Sequence, residues 1–161
     1  MRRSLARLSL ALLVAAASCS TPRPSEFVNI VFAPSIPTGH YAAWRFDLEA
    51  CRDTGDPRVD DAFVREHMLD AIQSELEQRG FKLRTDGPVD FLVSYQIWFA
   101  DPSRMRGRIV LMDTATGRFV WRGERKAPVS RDLAPDDRIE RIRRFAHELL
   151  QYTRRIGAPR A

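Results

Sequence analysis

Three histidines (His40, His67, His147) and two cysteines (Cys19, Cys51) are the residues that could act as general base, nucleophile or soft metal ligand. A catalytic histidine needs a nucleophile and an orienting acid within hydrogen-bond reach. His40 falls in a loop. On helical wheels His67 lies at the polar edge of one predicted helix and His147 on the arginine-bearing face of another, so both are expected to face solvent. Arg65-Glu66-His67 lacks the second histidine that a zinc-protease helix requires. The chain carries no phosphate loop, nucleophile elbow or metal-ligand spacing, and the reading is of a non-enzyme with no cofactor and no metal. The acid pairs Asp60/Asp61 and Asp136/Asp137 fall in the first turns of predicted helices, where capping and the helix dipole account for them. A hydrolase built on two of the other acids stays as a third reading, because carboxylate separation is a three-dimensional quantity.

Arginine and tryptophan are the more distinctive residues. Residues 19–103 carry 8 basic and 14 acidic side chains, a balance of −6, whereas residues 104–161 carry 15 and 7, a balance of +8. Guanidinium groups pair well with phosphate and carboxylate. Arg141, Arg143 and Arg144 project from the polar side of the predicted second helix and form the candidate contact for an anionic surface. The competing account is a solvated helix face with Glu140–Arg144 and Arg144–Glu148 pairs. Trp98 and Trp121 fall on adjacent predicted strands, where an aromatic face could stack sugars or bases. Burial is the expected role of Trp121, because it shares its predicted face with Phe119.

The chain has 161 residues and a formal charge of +5, with 44% hydrophobic and 29% charged residues, which is the size and composition of one globular domain. The charge alone would invite a nucleic-acid partner. Its distribution argues against one: Arg2, Arg3 and Arg7 precede the apolar run 8–17 (LSLALLVAAA), the pattern of a secretory signal too short to span a bilayer permanently. Cleavage removes three of the 26 basic residues and no acid, leaving 23 − 21 = +2. The run ends Ala15-Ala16-Ala17-Ser18-Cys19, which resembles a bacterial lipobox with Ala16 where Leu is usual. That resemblance implies a Cys19 diacylated through its thiol (a diacylglycerol, with palmitate as an acyl chain) as the mature N-terminus. Two acyl signals on one residue give stable attachment where one gives marginal binding. Ser20 in place of the Asp associated with inner-membrane retention implies the outer membrane, on its periplasmic side. Two alternatives stay open: ordinary cleavage after Ala17 or Ser18, and a Cys19–Cys51 disulfide in a soluble exported protein. Cys51 is otherwise a lone thiol in a polar loop.

Behind these residues the elements follow one another plainly. Residues 1–18 read as the signal and 19–26 as a lipidated cysteine with a short Pro-containing tether, which reaches roughly 20 Å. Residues 27–152 read as a single domain and 153–161 as a basic, frayed tail. Within the domain, 27–32 (FVNIVF) is a first strand and 41–46 (YAAWRF) a short second strand or an extended connection. A helix over 60–79 places Ala62, Leu69, Ile72 and Leu76 on one stripe and stops at Gly80. Residues 81–83 are a brief apolar stretch, and 90–99 (DFLVSYQIWF) alternates with the period of a half-buried strand. Strands at 108–113 and 118–122 flank Thr114-Ala115-Thr116-Gly117, a hairpin loop with Gly at a position of positive φ. A second helix from Pro135 to Tyr152 buries Ile139, Ile142, Ala146, Leu149 and Leu150. The order gives α+β: a two-layer sandwich, mainly an antiparallel sheet of four to five strands, with two helices on one face.

Several of these segments together resemble the bacterial envelope lipoproteins classed as domain-of-unknown-function family 4136. The matching stretches are Tyr41-Ala42-Ala43-Trp44, the helix from Ile72 to Leu76 with Arg79-Gly80-Phe81, and Asp90-Phe91-Leu92-Val93-Ser94-Tyr95. Most specific is Asp113-Thr114-Ala115-Thr116-Gly117-Arg118-Phe119-Val120-Trp121-Arg122-Gly123. The resemblance covers roughly residues 27–152, departing at loop 45–58 and at Gln151-Tyr152-Thr153. It implies an exported lipoprotein and supplies no catalytic residue. The expected function is therefore envelope maintenance or an accessory binding role, with an envelope protein or anionic lipid as partner. The alternative is an accessory of lipid or lipopolysaccharide transport, since the order of elements is similar to the small lipoprotein that plugs the lipopolysaccharide translocon, an analogy of fold alone.

Overall fold

Alternating apolar residues organise the sheet of this computed structural model, which describes residues 28–34, 41–51, 61–101, 103–128 and 133–156. The elements are β1 (Val28–Phe32), β2 (Ala43–Phe46), α1 (Ala62–Gln78), β3 (Lys82–Leu83), β4 (Phe91–Asp101), β5 (Arg104–Asp113), β6 (Phe119–Pro128) and α2 (Pro135–Leu150), closed by a 3-10 helix over Gln151–Ile156. They form one six-stranded sheet in the order β1-β6-β5-β4-β2-β3. The four strands β1, β6, β5 and β4 are antiparallel neighbours, while β2 runs parallel to both β3 and β4. The architecture is the expected two-layer α+β sandwich, with six strands where four to five were expected. The extra strand is β3, whose two residues are too few to carry a period.

Register assigns the two faces. Phe91, Val93, Tyr95 and Ile97 of β4 stand level with Asp113, Leu111, Ile109 and Gly107 of β5. The β5 residues Leu111, Ile109 and Gly107 in turn meet Trp121, Gly123 and Arg125 of β6. This face is buried under the helices, in a core with Trp44, Met68, Ile72, Leu76, Phe145 and Leu149. Two glycines make room for rings: a Cβ on Gly107 would stand 2.3 Å from Cζ of Phe145, and one on Gly123 would stand 2.5 Å from the Trp121 ring.

Helix α1 begins and ends on local signals. Asp61 is the N-cap of α1, accepting from the Phe63 N–H at 2.9 Å, so it precedes the first turn instead of lying in it; Asp60 lies outside the described residues. At the other end Gly80 has φ +87°, its N–H donates to Glu77 and the Phe81 N–H donates to Leu76, the paired bonds that a left-handed glycine permits. The buried positions of α1 are Met68, Ala71, Ile72 and Leu76. Ala62 is exposed and Leu69 is half-buried. In α2, Phe145, Ala146, Leu149 and Leu150 are buried, with Ile139 and Ile142 at the margin. Phe145 fell outside the expected stripe, and the space over Gly107 is what admits it.

Three further expectations are corrected. Thr153 and Ile156 are 0% and 1% exposed, so the expected tail is packed as far as Ile156. β5 starts at Arg104, four residues before the expected position, because a row of arginines forms its outward side. Phe119 does not share a face with Trp121: a bulge at Val120 sets Leu111 opposite Trp121 and Met112 opposite Phe119. Trp121 is fully buried, whereas Phe119 is 37% exposed on the other side of the sheet.

Candidate functional site

The hairpin loop after β5 joins two parts of the chain far from it. Gly117 holds φ +64° and donates to the Asp113 carbonyl at 2.9 Å, which closes the turn. Asp113 Oδ1 accepts from the Thr116 N–H at 2.7 Å and the Thr116 hydroxyl at 2.9 Å, and Oδ2 accepts from the Tyr41 hydroxyl at 2.8 Å. Beside it, Asp90 Oδ2 accepts from the N–H groups of Ala42 and Ala43, both at 2.8 Å. The Thr114 N–H donates to the Asp90 carbonyl at 3.1 Å. Three of the motif segments quoted above, 41–44, 90–95 and 113–117, thus meet at one corner of the sheet. Burial pushes the Tyr41 phenol up to about 12, aided by Asp113 and Asp90. Burial also works to raise Asp113, but the hydrogen bonds from Tyr41, Thr116 and Ala115 outweigh it and hold the carboxyl below the usual range. Both Asp113 oxygens are engaged and Tyr41 is held neutral, so this corner staples strands and is a poor acid–base pair.

The remaining reactive groups are also tied into the frame. Cys51 is 5% exposed, a correction to its expected place in a polar loop. The turn after β2 folds back on the sheet, and the Cys51 sulfur accepts from the Tyr95 N–H at 3.3 Å. Burial pushes its thiol up, against reactivity. His147 Nδ1 lies 3.1 Å from Glu75, His67 packs edge-on against Phe63, and His40 lies outside the described residues. No group of three metal-ligating side chains occurs among the described residues. Cys19, the signal and the tether lie outside them as well.

Of the candidate arginines on α2, Arg143 and Arg144 are exposed and Arg141 is half-buried. Arg144 reaches Glu140 at 3.5 Å, as expected, whereas Glu148 turns to the sheet and binds the buried Arg125 at 2.9 Å in place of Arg144. Residues 135–150 carry four arginines and four acids, so the helix as a whole is neutral at 4 − 4 = 0.

The sheet face opposite the helices is a charged surface that sequence reasoning missed. Its strand positions on β4, β5, β6 and β1 include Gln96, Trp98, Arg104, Arg106, Arg108, Val110, Met112, Phe119, Arg122, Glu124 and Lys126. Arg108 stacks over Trp98 at 5.1 Å, and Glu124 binds both Arg106 at 3.3 Å and Arg108 at 3.0 Å. Trp98 and Trp121 therefore lie on opposite faces, with β5 between their strands. The signal was the alternation Arg104, Arg106, Arg108 running into Val110 and Met112, a period of two in charge in place of hydropathy.

No family model and no curated protein matches the chain. Among solved structures, a PDZ domain protein from Parabacteroides distasonis is 14% identical, with a TM-score of 0.56, over 79% of this chain and 36% of that one. The chain thus spans about a third of that protein's length. A Xanthomonas campestris protein of family DUF330 is 10% identical over 80% of this chain and 91% of that one, with a TM-score of 0.44. A Caulobacter crescentus protein provisionally described as a lipoprotein is 15% identical over 55% and 76%, with a TM-score of 0.34. At these identities the likeness is one of fold, and the first comparison carries it. The resemblance to family 4136 remains a resemblance of residues. Among the described residues no helix is long and apolar enough to cross a membrane.

Proposed function

We propose that the chain is a lipid-anchored protein of the bacterial envelope, related to family 4136, whose domain binds a partner and performs no catalysis. The observation that carries this reading is the small-residue run that ends the apolar stretch 8–17 at Cys19. The fixed acids and the buried thiol support the non-catalytic half, since Asp90, Asp113 and Cys51 all accept hydrogen bonds from the frame. Ser20 after the cysteine favours the outer membrane and its periplasmic side. The buried setting of Cys51, whose sulfur accepts from the Tyr95 N–H at 3.3 Å, disfavours a Cys19–Cys51 bridge. Mass spectrometry of the membrane fraction is expected to find acyl mass on an N-terminal peptide starting at Cys19, and Cys19→Ala to release the protein. An unmodified N-terminus, or a peptide linking Cys19 to Cys51, overturns the reading.

A further inference from the structure

Charge on the open sheet face is unequal to charge elsewhere on the described domain. The strand positions of β4, β5, β6 and β1 on this side carry Arg104, Arg106, Arg108, Arg122 and Lys126 against Asp101 and Glu124, a balance of 5 − 2 = +3. Arg45 of β2 and Lys82 of β3 add the same sign on the same side. The polar side of α2, the other arginine-bearing surface, carries Arg138, Arg141, Arg143 and Arg144 against Asp136, Asp137 and Glu140, a smaller balance of 4 − 3 = +1, because Glu148 turns to the buried Arg125. The cations are also ordered. Arg104, Arg106 and Arg108 alternate along β5 at about 7 Å per pair of residues, beside Trp98 and Lys126.

The tether enters at the same end. β1 is an edge strand, and its first residue, Val28, stands level with Arg125 and Gly107, one position from the row Trp98–Arg106–Lys126. Between Cys19 and Val28 lie eight residues, two of them proline, a length of chain that can bridge about 25 Å. A chain anchored at Cys19 therefore brings this end of the sheet to the headgroups first.

We propose that the open sheet face, at its Arg104–Arg106–Lys126 end, docks on the anionic phospholipid headgroups of the membrane that holds Cys19. The orientation rests on the lipid-anchor reading, while the affinity of the face for anionic headgroups is independent of it. Guanidinium groups supply paired donors for phosphate, and Trp98 stands among them at the depth where indole suits an interface. The sandwich then stands with its helices away from the bilayer, leaving α2 to face the aqueous side.

Trp98 is the internal probe, because Trp44 and Trp121 are fully buried. The full chain, purified from membranes with its native N-terminus, is mixed with phosphatidylcholine vesicles, with or without phosphatidylglycerol, that carry a headgroup spin label as quencher. Flotation with the neutral vesicles reads the anchor. Extra Trp98 quenching on the anionic vesicles reads the face, with Trp98→Phe identifying the signal. The expected quenching increase disappears as salt shortens the Debye length from roughly 30 Å to 3 Å. Arg104→Glu with Lys126→Glu should weaken docking about tenfold or more, while Arg143→Glu with Arg144→Glu leaves it within about twofold. Equal quenching on both vesicle types, or quenching indifferent to salt, overturns the docking face in the unaltered chain without any variant. Flotation without extra quenching leaves the anchor standing and the face refuted. Extra quenching without flotation on neutral vesicles does the reverse, and loss through α2 instead of β5 moves the surface to the helix and also refutes the proposal.

Discussion

Tyr41 and Asp113 lie 72 positions apart and meet at 2.8 Å, a pairing that contributes to stability at both ends of the pH range. The folded phenol is pushed up to about 12 by burial from an ordinary value of 10.0, so its contribution is complete below pH 10 and is lost as the pH rises through about 12. Asp113 has the opposite sign. Its carboxyl is held below the usual range, so its contribution is present above the ordinary carboxylate value and is lost as the pH falls through the depressed one. An ultraviolet titration of the phenolates is expected to contain one component near pH 12 that Tyr41→Phe removes and Asp113→Asn moves toward 10. If Tyr41→Phe leaves the alkaline limb unchanged, the staple is absent in solution. The motif residues were visible in the sequence, but their partnership was not, because nothing local in either segment specifies a contact across 72 residues. Burial of Trp121 was expected from a face shared with Phe119, and it holds on another ground, because Trp121 stands opposite the buried Leu111. Only the bulge at Val120, which a period-two reading cannot see, separated it from Phe119.

Helices α1 and α2 and strand β4 were legible because each carries its own period, with Gly80 as the stop of α1 and Pro135 as the start of α2. β5 was legible only in part. Its outward row is arginine, so hydropathy alternation begins four residues late, and its inward row is interrupted at Gly107, where the missing side chain is what lets α2 approach. An added Cβ there would stand 2.3 Å from Cζ and 2.5 Å from Cε2 of Phe145, on a ring that the sheet and α2 hold in place. Gly107→Ala is therefore expected to cost roughly 1–3 kcal/mol by overpacking, read from the denaturant midpoint at unchanged slope. Phe145→Leu should be less harmful in that background than alone, since it relieves the contact that the alanine creates. Additive losses would mean that Gly107 is required for some reason other than the seam between β5 and α2.

Taken as a whole, the domain divides its labour between two sides, a helical side that seals the core and a sheet side that carries the excess positive charge. The +8 of residues 104–161 was visible in composition, but its location was not. Chain order put three arginines together on α2, whereas strand pairing gathers a different set on the sheet and leaves the helix neutral. The far boundary of the domain was misread for a related reason: Gln151-Tyr152-Thr153-Arg154-Arg155 looks like a basic tail to any reading of composition. In the fold this segment is a 3-10 turn that brings Thr153 and Ile156 to 0% and 1% exposure, with the Thr153 hydroxyl donating to the Leu150 carbonyl at 2.6 Å. That turn continues α2 and plugs the core beside β6. Ile156→Ala should therefore behave as a core truncation, costing about 2–4 kcal/mol in chemical denaturation. A frayed tail would tolerate the same change within about 0.5 kcal/mol, so a loss that small would return the boundary of the domain to Tyr152.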